Sequence, residues 1–184
     1  MQMYYNNLMK IEILILLVLF IGAAALTAKE TPPLETVPRV DLQRYMGKWY
    51  EIASFPQRFQ KGCHCSMAEY AMTDKGYVSV LNSCRKDSPG GKLSRARGKA
   101  FIVEGGGNAK LKVQFFWPFR GDYWIIDLAA DYSYAVVGDP SRKYLWILSR
   151  RPRMDEALYN EIVDRCAQKG FDVSRLRKTD QSCS

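Results

Sequence analysis

The chain has 184 residues, of which 47% are hydrophobic and 25% charged, with five cysteines and one histidine. This balance excludes a disordered or collagen-like chain, and the length favours a single domain. The single histidine excludes most histidine-based metal and acid–base sites. The formal net charge of +8 favours anionic surfaces, although it also serves solubility, and the scattered basic residues do not indicate a nucleic-acid partner.

The first 28 residues have the pattern of an export signal. Lys10 precedes an uninterrupted apolar run, Ile13 to Leu26, and small residues follow it. The run is short for a membrane-spanning helix, so we predict a removable signal, with an uncleaved N-terminal anchor as the alternative. No cysteine that could be acylated lies near the cleavage region. The predicted organisation is a signal peptide at 1–28, a proline-rich arm at 29–38 and a folded domain at 39–184.

Eight runs rich in β-branched and aromatic residues follow, separated by short turn sequences such as Asp139-Pro140 and the glycines 105–107. Short strands with no helix between them exclude a parallel β–α–β sheet and predict an antiparallel barrel or sandwich. The predicted strands are 48–55, 64–72, 77–84, 93–103, 110–116, 122–128, 133–138 and 143–150.

The strand at 93–103 carries small residues on one face and basic residues on the other. If the small face points inward, it leaves space. An eight-stranded barrel is just wide enough either to be filled by side chains or to hold one small ligand, so this strand favours the hollow form. The alternative is that Gly98 marks a bulge. The small residues are Ser94, Ala96, Gly98 and Ala100.

Residues 155–169 change from the strand period to the helix period. Apolar residues recur at helical spacing as far as Ala167, and Gly170 follows as a C-terminal cap. The apolar stripe of this helix needs a surface to cover. The last strand offers one, because Leu145 and Ile147 are apolar on the face that would otherwise be wet. We therefore predict a barrel with one helix packed outside it.

Trp49, near the start of the first strand, and Arg150, near the end of the last, are expected to meet at one end of the barrel and close it. Three regions here resemble the signatures of the lipocalin family, in the same order. They are Gly47-Lys48-Trp49, Asp131-Tyr132 and Arg150. The longer stretches 45–59 and 122–152 resemble the bacterial lipocalin branch, which is similar to apolipoprotein D. Gly47, Trp49 and Arg150 are thus predicted to be structural.

The resemblance implies an all-β fold, an eight-stranded antiparallel up-and-down barrel with one C-terminal α-helix outside. It also implies a small hydrophobic ligand, a fatty acid, a lysophospholipid or a similar lipid, carried or stored for the maintenance of cell-envelope lipids. No cofactor is expected. We expect a monomer or weak homodimer, exported to the periplasm or associated with the outer membrane, with an anionic membrane surface as a further partner.

The resemblance to apolipoprotein D also implies a set of ligand-binding aromatic residues. Adjacent Tyr123 and Trp124 cannot both point into a regular barrel, because side chains alternate along a strand. Ordinary core packing is the alternative for each residue, since aromatic side chains are common in cores. The implied residues are Tyr70, Phe115, Tyr123, Trp124 and Trp146.

Five cysteines in an exported chain predict two disulfides and one free thiol. The resemblance implies the pairs Cys65–Cys183 and Cys63–Cys84, with Cys166 as a buried free thiol. The sequence itself leaves open an exchange of Cys63 and Cys65 between these partners. The Cys-x-Cys motif lacks a second ligand pair at metal spacing, so no metal site is predicted.

Catalytic motifs such as Gly-x-Ser-x-Gly and His-Glu-x-x-His do not occur in the sequence, and we predict a binding protein rather than an enzyme. Two alternatives stay open. One is a thiol-dependent lipid isomerase that uses Cys84 as a cavity thiol, and the other is a cationic adaptor on a membrane surface with a filled barrel.

Overall fold

The computed structural model describes residues 32–183, so the predicted signal peptide lies outside the described residues. No helix in this described part is long and apolar enough to cross a membrane. The strands and helices, in chain order, are α1 (Leu42–Tyr45), β1 (Gly47–Ser54), β2 (Cys63–Met72), β3 (Val78–Lys86), β4 (Leu93–Ile102), β5 (Lys110–Phe116), β6 (Phe119–Leu128), β7 (Tyr134–Gly138), β8 (Leu145–Ser149), α2 (Glu156–Gln168) and β9 (Arg177–Lys178).

Strands β1 to β8 form a closed antiparallel barrel. Each strand pairs with the next in sequence, and β1 pairs with both β2 and β8. Closure leaves no edge strand in the barrel wall. This confirms the predicted eight-stranded up-and-down fold with one C-terminal helix.

The alternating connections define two ends of the barrel. The closed end carries α1 and the β2–β3, β4–β5 and β6–β7 turns. The open end carries the other connections, and its segments are 55–62, 87–92, 116–120 and 139–144.

Side chains alternate across the barrel wall and form two separate cores. The interior core consists of Val40, Tyr45, Trp49, Ala68, Tyr70, Val78, Val80, Ala100, Ala109, Leu111, Ile125, Ala135, Val137 and Leu148. The outer core lies between the wall and α2, and consists of Leu34, Ile52, Ala53, Phe55, Ile126, Val136, Leu145, Ile147, Tyr159, Ile162, Cys166 and Phe171.

Helix α2 packs where the sequence predicted. Its N-cap Asp155 accepts hydrogen bonds from the backbone N–H groups of Ala157 and Leu158, which satisfies two otherwise unpaired donors. Ile162 on its apolar stripe is fully buried in the outer core with Leu145 and Ile147 of β8. Each such side chain contributes about 1.5–3 kcal/mol through burial.

The C-terminal tail enters the barrel wall, which the sequence did not predict. Strand β1 pairs with β2 only as far as Tyr50, and β9 then pairs with Ala53 and Ser54. Farther along the tail, the Gln181 side-chain amide donates to the backbone carbonyls of Glu51 in β1 and Ser66 in β2, each at 2.8 Å. The tail therefore fills the gap where β1 and β2 separate.

Candidate functional site

The closed end is sealed by Arg150 and Trp49. The guanidinium carbon of Arg150 lies 3.8 Å from the centroid of the Trp49 ring, a favourable cation–π contact. The same guanidinium donates to the carbonyls of Lys48 at 2.8 Å and Arg44 at 2.6 Å. The Trp49 indole N–H donates to the Tyr45 carbonyl at 2.8 Å. Trp49 is fully buried, so these residues form a packed floor.

Gly47 begins β1 beneath this floor with φ of +89°, a left-handed conformation that favours glycine. A Cβ atom there would lie 3.5 Å from Arg150 Nη1, an ordinary contact distance. The backbone conformation, rather than a clash, is therefore what requires glycine. The structure thus brings Gly47, Trp49 and Arg150 together at the closed end.

Helix α1 completes the floor from below. The Arg44 guanidinium lies 4.1 Å above the Tyr132 ring and donates to the Ala130 carbonyl at 3.0 Å. The backbone N–H of Asp41 donates to the Tyr132 hydroxyl at 2.8 Å. These contacts hold α1 across the β6–β7 turn and keep water from entering at this end.

The inward-facing side chains pack together near the floor, whereas those nearer the open end are exposed. In β3 and β4, Val78 pairs with Ala100, and both are buried in the interior core. Ala96 lies on the same face of β4, four residues nearer the open end, and it is exposed. A side chain that points inward and stays exposed borders empty space. Inward-facing side chains are therefore buried near the floor and exposed towards the open end, and we call this upper interior, bordered by Ala96, Phe115 and Trp146, the cup.

Four of the predicted ligand-binding residues face this cup. Tyr70 is buried near its base, and Phe115, Tyr123 and Trp146 are partly buried and packed against the interior core. The Phe115 ring lies over Gly98, where a Cβ atom would come within 2.9 Å of the ring. Gly98 thus makes room for Phe115, and β3 and β4 pair without a register shift at this glycine.

Trp124, unlike the other four predicted residues, points away from the cup. This side chain packs against the outer core, and the Lys110 ammonium lies 4.4 Å from its ring centroid. The reason is alternation along β6, because Tyr123 pairs with inward-facing Leu111 and the next residue must point outward.

Three phenol groups meet at the base of the cup. The Tyr123 hydroxyl lies 2.8 Å from that of Tyr45 and 2.9 Å from that of Tyr70. Burial raises the pKa of Tyr70 to about 12 and raises the pKa values of Tyr45 and Tyr123 well above their usual range. All three are therefore uncharged at neutral pH. We call this group the tyrosine triad.

A groove of about 520 Å³ lies beside β1, between segment 55–62 and the tail. Its buried Glu51 carboxylate accepts hydrogen bonds from Gln60 and Thr179, both at 2.6 Å. The Ser66 hydroxyl is buried there and has no hydrogen-bond partner within residues 32–183. Gln60 also accepts a hydrogen bond from the Trp146 indole N–H at 3.3 Å, so segment 55–62 connects this groove to the inward-facing wall of the barrel. Sequence reasoning missed this groove, because the course of the tail was not visible in the strand pattern.

The structure joins Cys65 to Cys183 and Cys63 to Cys84, the pairs that the resemblance implies. Cys84 is therefore not a free thiol, and the isomerase alternative loses the group that it needed. Cys166 is free but buried in the outer core, where burial raises its pKa to about 12. Such a thiol stays protonated at neutral pH and does not reach the cup.

The open end exposes a cluster of aromatic side chains that sequence reasoning missed. The exposed fractions are 78% for Phe116, 86% for Trp117 and 78% for Phe119 at the β5–β6 hairpin tip, and 67% for Phe59 in segment 55–62. We call these four residues the aromatic rim. Part of the signal was present in the sequence, where three of the four, Phe116, Trp117 and Phe119, flank Pro118.

Comparison with known proteins agrees with this architecture. Residues 40–181 match the model of the Lipocalin-like domain. Temperature-induced lipocalin-1 of Arabidopsis thaliana is 41% identical over 162 residues, covering 83% of this chain and 86% of the relative. Outer membrane lipoprotein Blc of Escherichia coli K12 is 39% identical over 148 residues, covering 79% and 83%.

Apolipoprotein D of Mus musculus is 33% identical over 162 residues, covering 83% of this chain and 82% of the relative. Among solved structures, insecticyanin from the tobacco hornworm Manduca sexta superimposes with a TM-score of 0.65 at 22% identity, covering 81% of this chain and 85% of that one. At that identity the superposition supports the fold alone.

Proposed function

The chain belongs to the lipocalin family, and we propose that it binds one fatty acid, lysophospholipid or similar lipid in the cup for transport or storage. The observation that carries this proposal is the uncovered, largely apolar wall above the sealed floor. Val113, Phe115 and Trp146 point inward yet are only partly buried. A hydrocarbon chain that covers these side chains is removed from water together with them, and this removal is favourable.

The expected affinity follows from the length of chain that enters the cup. Ten buried methylene groups contribute about 8 kcal/mol at about 0.8 kcal/mol each. Ordering the ligand offsets part of this. We therefore expect dissociation constants from the sub-micromolar to the micromolar range.

The charges support a ligand whose head group stays at the open end. The open-end segments contain six basic residues, Arg58, Lys61, Lys92, Arg120, Arg142 and Lys143, against two acidic residues, Asp87 and Asp139. A carboxylate or phosphate is costly to bury without a cation and is stabilised beside one. The acyl chain then points down towards the floor.

A matched pair of variants tests the binding site. Ala96→Phe places a large ring inside the cup, whereas Arg95→Phe places the same ring on the outer face, since neighbours in β4 point to opposite sides. We expect Ala96→Phe to weaken binding of a fluorescent fatty-acid analogue at least tenfold and Arg95→Phe to change it less than twofold. Equal affinity in both variants would contradict the proposal.

Relatives named as outer membrane lipoproteins support a location in the periplasm or at the outer membrane and a role in maintaining envelope lipids. Fractionation of cells that express the full-length chain tests this location. Recovery with the envelope fractions is expected, and recovery in the cytoplasm alone would contradict it. Native mass spectrometry of the same protein tests for one bound lipid on a monomer or weak homodimer.

We further propose that the open end docks on an anionic membrane. The aromatic rim lies in two of the open-end segments, and the open-end segments also carry six basic residues, of which Arg58 and Arg120 are direct sequence neighbours of rim residues. Exposed aromatic side chains gain about 1.5–3 kcal/mol each when they leave water, and basic residues are attracted to anionic head groups. Docking in this orientation places the cup entrance against the bilayer, where lipid enters.

Vesicle binding tests this docking. Trp117→Ser combined with Phe119→Ser removes half of the aromatic rim and should weaken binding to vesicles of phosphatidylglycerol and phosphatidylcholine at least tenfold. Met72→Ser removes an exposed apolar side chain at the closed end and should have no effect. Binding that is equal in all three proteins, or unaffected by salt, would contradict the docking proposal.

A further inference from the structure

The tyrosine triad has three hydroxyl protons, but only two hydrogen bonds form among its three oxygens. Each of its three phenols carries one proton and can accept further hydrogen bonds. Two hydrogen bonds link the three oxygens, Tyr45 to Tyr123 and Tyr70 to Tyr123. Among residues 32–183 these hydroxyls have no other hydrogen-bond partner. One proton therefore lacks an acceptor, and a buried donor left unpaired costs about 1–3 kcal/mol.

The hydroxyl proton that has no acceptor within the triad is most favourably placed on Tyr123. Tyr45 is 3% exposed and Tyr70 is 6% exposed, so a proton directed away from the triad at either residue points into packed side chains. Tyr123 is the central member, and it is only partly buried. When both outer phenols donate to Tyr123, its own proton is free to point into the cup.

The surroundings define the acceptor that fits. Lysines and arginines of the neighbouring wall alternate with the inward-facing residues and point outward. They are Arg95, Arg97, Lys99, Lys110 and Lys112. The inward-facing charged residue Glu51, which pairs with Leu148 of the interior core, is acidic. The nearest cation, Arg150, already donates to the backbone carbonyls of Lys48, Arg44 and Tyr45 in the floor. An ionised carboxylate beside the triad would therefore be buried without a cation free to pair with it, which is costly.

We propose that the tyrosine triad is a hydrogen-bond donor site for an uncharged oxygen at the buried end of the ligand. The fitting ligands are lipids whose inner end carries a ketone, an aldehyde, an ester or an alcohol. This inference rests on the proposed function, because it requires a ligand in the cup. It divides lipid ligands into two groups, those that gain a hydrogen bond at the floor and those that gain only apolar contact.

A matched pair of probes tests this site. Undecan-2-one and undecane have the same chain length and differ in one carbonyl oxygen. Each is titrated against a bound fluorescent fatty-acid analogue in the full chain. Tyr123→Phe should weaken undecan-2-one binding about tenfold, the equivalent of about 1.4 kcal/mol, and leave undecane binding within twofold.

Two further variants separate this role from a structural one. Tyr70→Phe leaves one hydrogen bond and still one free proton at Tyr123, so it should change undecan-2-one binding less than threefold. Tyr134→Phe removes a hydroxyl on the outer face, where it contacts Asp127 and Arg165, and should change neither probe. Equal losses for both probes in Tyr123→Phe, or no loss for either, would overturn the inference.

The wild-type chain provides a measurement that does not depend on the folding of a variant. The infrared carbonyl band of bound undecan-2-one should lie at lower frequency than in an alkane solvent, because the carbonyl accepts a hydrogen bond. An unshifted band would overturn the donor site and leave the proposed function intact. Failure of both probes and the fatty-acid analogue to bind would overturn the proposed function and this inference together.

Discussion

The closed and open ends of the barrel are built from the same strands but use their side chains differently. At the closed end, Trp49 is fully buried beneath Arg150, and hydrogen bonds from Arg150 and Arg44 reach backbone carbonyls. At the open end, Trp117 and Phe119 are 86% and 78% exposed. Aromatic residues therefore stabilise the fold at the closed end, whereas at the open end they are available for contact with other molecules.

Truncation of one tryptophan at each end should give the largest contrast. Trp49→Ala removes a fully buried ring and should lower the free energy of unfolding by about 3–5 kcal/mol. Trp117→Ala removes an exposed ring and should change it by less than about 0.5 kcal/mol. Urea unfolding measures both. Similar losses in the two variants would contradict the division between the ends.

The two disulfides both attach to the open-end half of β2, but they close chain loops of very different length. Cys65–Cys183 spans 118 residues and Cys63–Cys84 spans 21. In the chain-entropy model, Cys65→Ser with Cys183→Ser should cost about 1.5 kcal/mol more than Cys63→Ser with Cys84→Ser, within an overall range of about 3–5 kcal/mol. Thermal unfolding of the two double variants measures the difference, and the reverse order would show that the tail contributes little.

Alkaline pH should weaken the closed end through the tyrosine triad. Tyr70 has a pKa of about 12 in the folded chain and about 10 when unfolded. Below about pH 10 both states hold the proton and its full contribution is present. As the pH rises from about 10 to about 12, only the folded state holds it, so stability falls by about 2–3 kcal/mol in total.

Tyr70→Phe tests this pH dependence. Its unfolding free energy should fall less steeply with pH than that of the wild type across the same pH window. The difference in slope should correspond to one proton, because the variant lacks the phenol of Tyr70. Urea unfolding at several pH values measures the two slopes. Parallel slopes would show that burial of Tyr70 does not raise its pKa.

A smaller change should follow at the outer core. Cys166→Ala removes a buried sulfur under α2 and should lower the free energy of unfolding by about 1 kcal/mol, without changing the affinity for a fatty-acid analogue. A loss of ligand binding in this variant would show that the outer core and the cup are coupled.

The barrel and its helix could be predicted because both follow from the local spacing of apolar residues in the sequence. Alternation along Leu111, Val113 and Phe115 and the helical spacing through Ile162 each follow from burial on one face. The tail strand β9 has only two residues, and no period is visible over that length. Its position depends on the distant pairing of Cys183 with Cys65.

The candidate site was only partly predictable. Alternation allows either Tyr123 or Trp124 to point inward, and only the register with Leu111 decides between them. The tyrosine triad joins residues from α1, β2 and β6, which are far apart in sequence. The aromatic rim depended on where β6 begins, because a predicted start at 122 placed Phe119 in an ordinary turn, whereas the strand begins at Phe119 itself.

Quenching of tryptophan fluorescence by a brominated fatty acid tests the central claim most directly, since Trp146 faces the cup and Trp124 faces the outer core. Quenching should saturate at one lipid per chain, fall by more than half in Trp146→Phe and stay within a quarter of the wild-type value in Trp124→Phe. Quenching that persists in Trp146→Phe and disappears in Trp124→Phe, or no saturable quenching in the wild type, would contradict a lipid site inside the barrel.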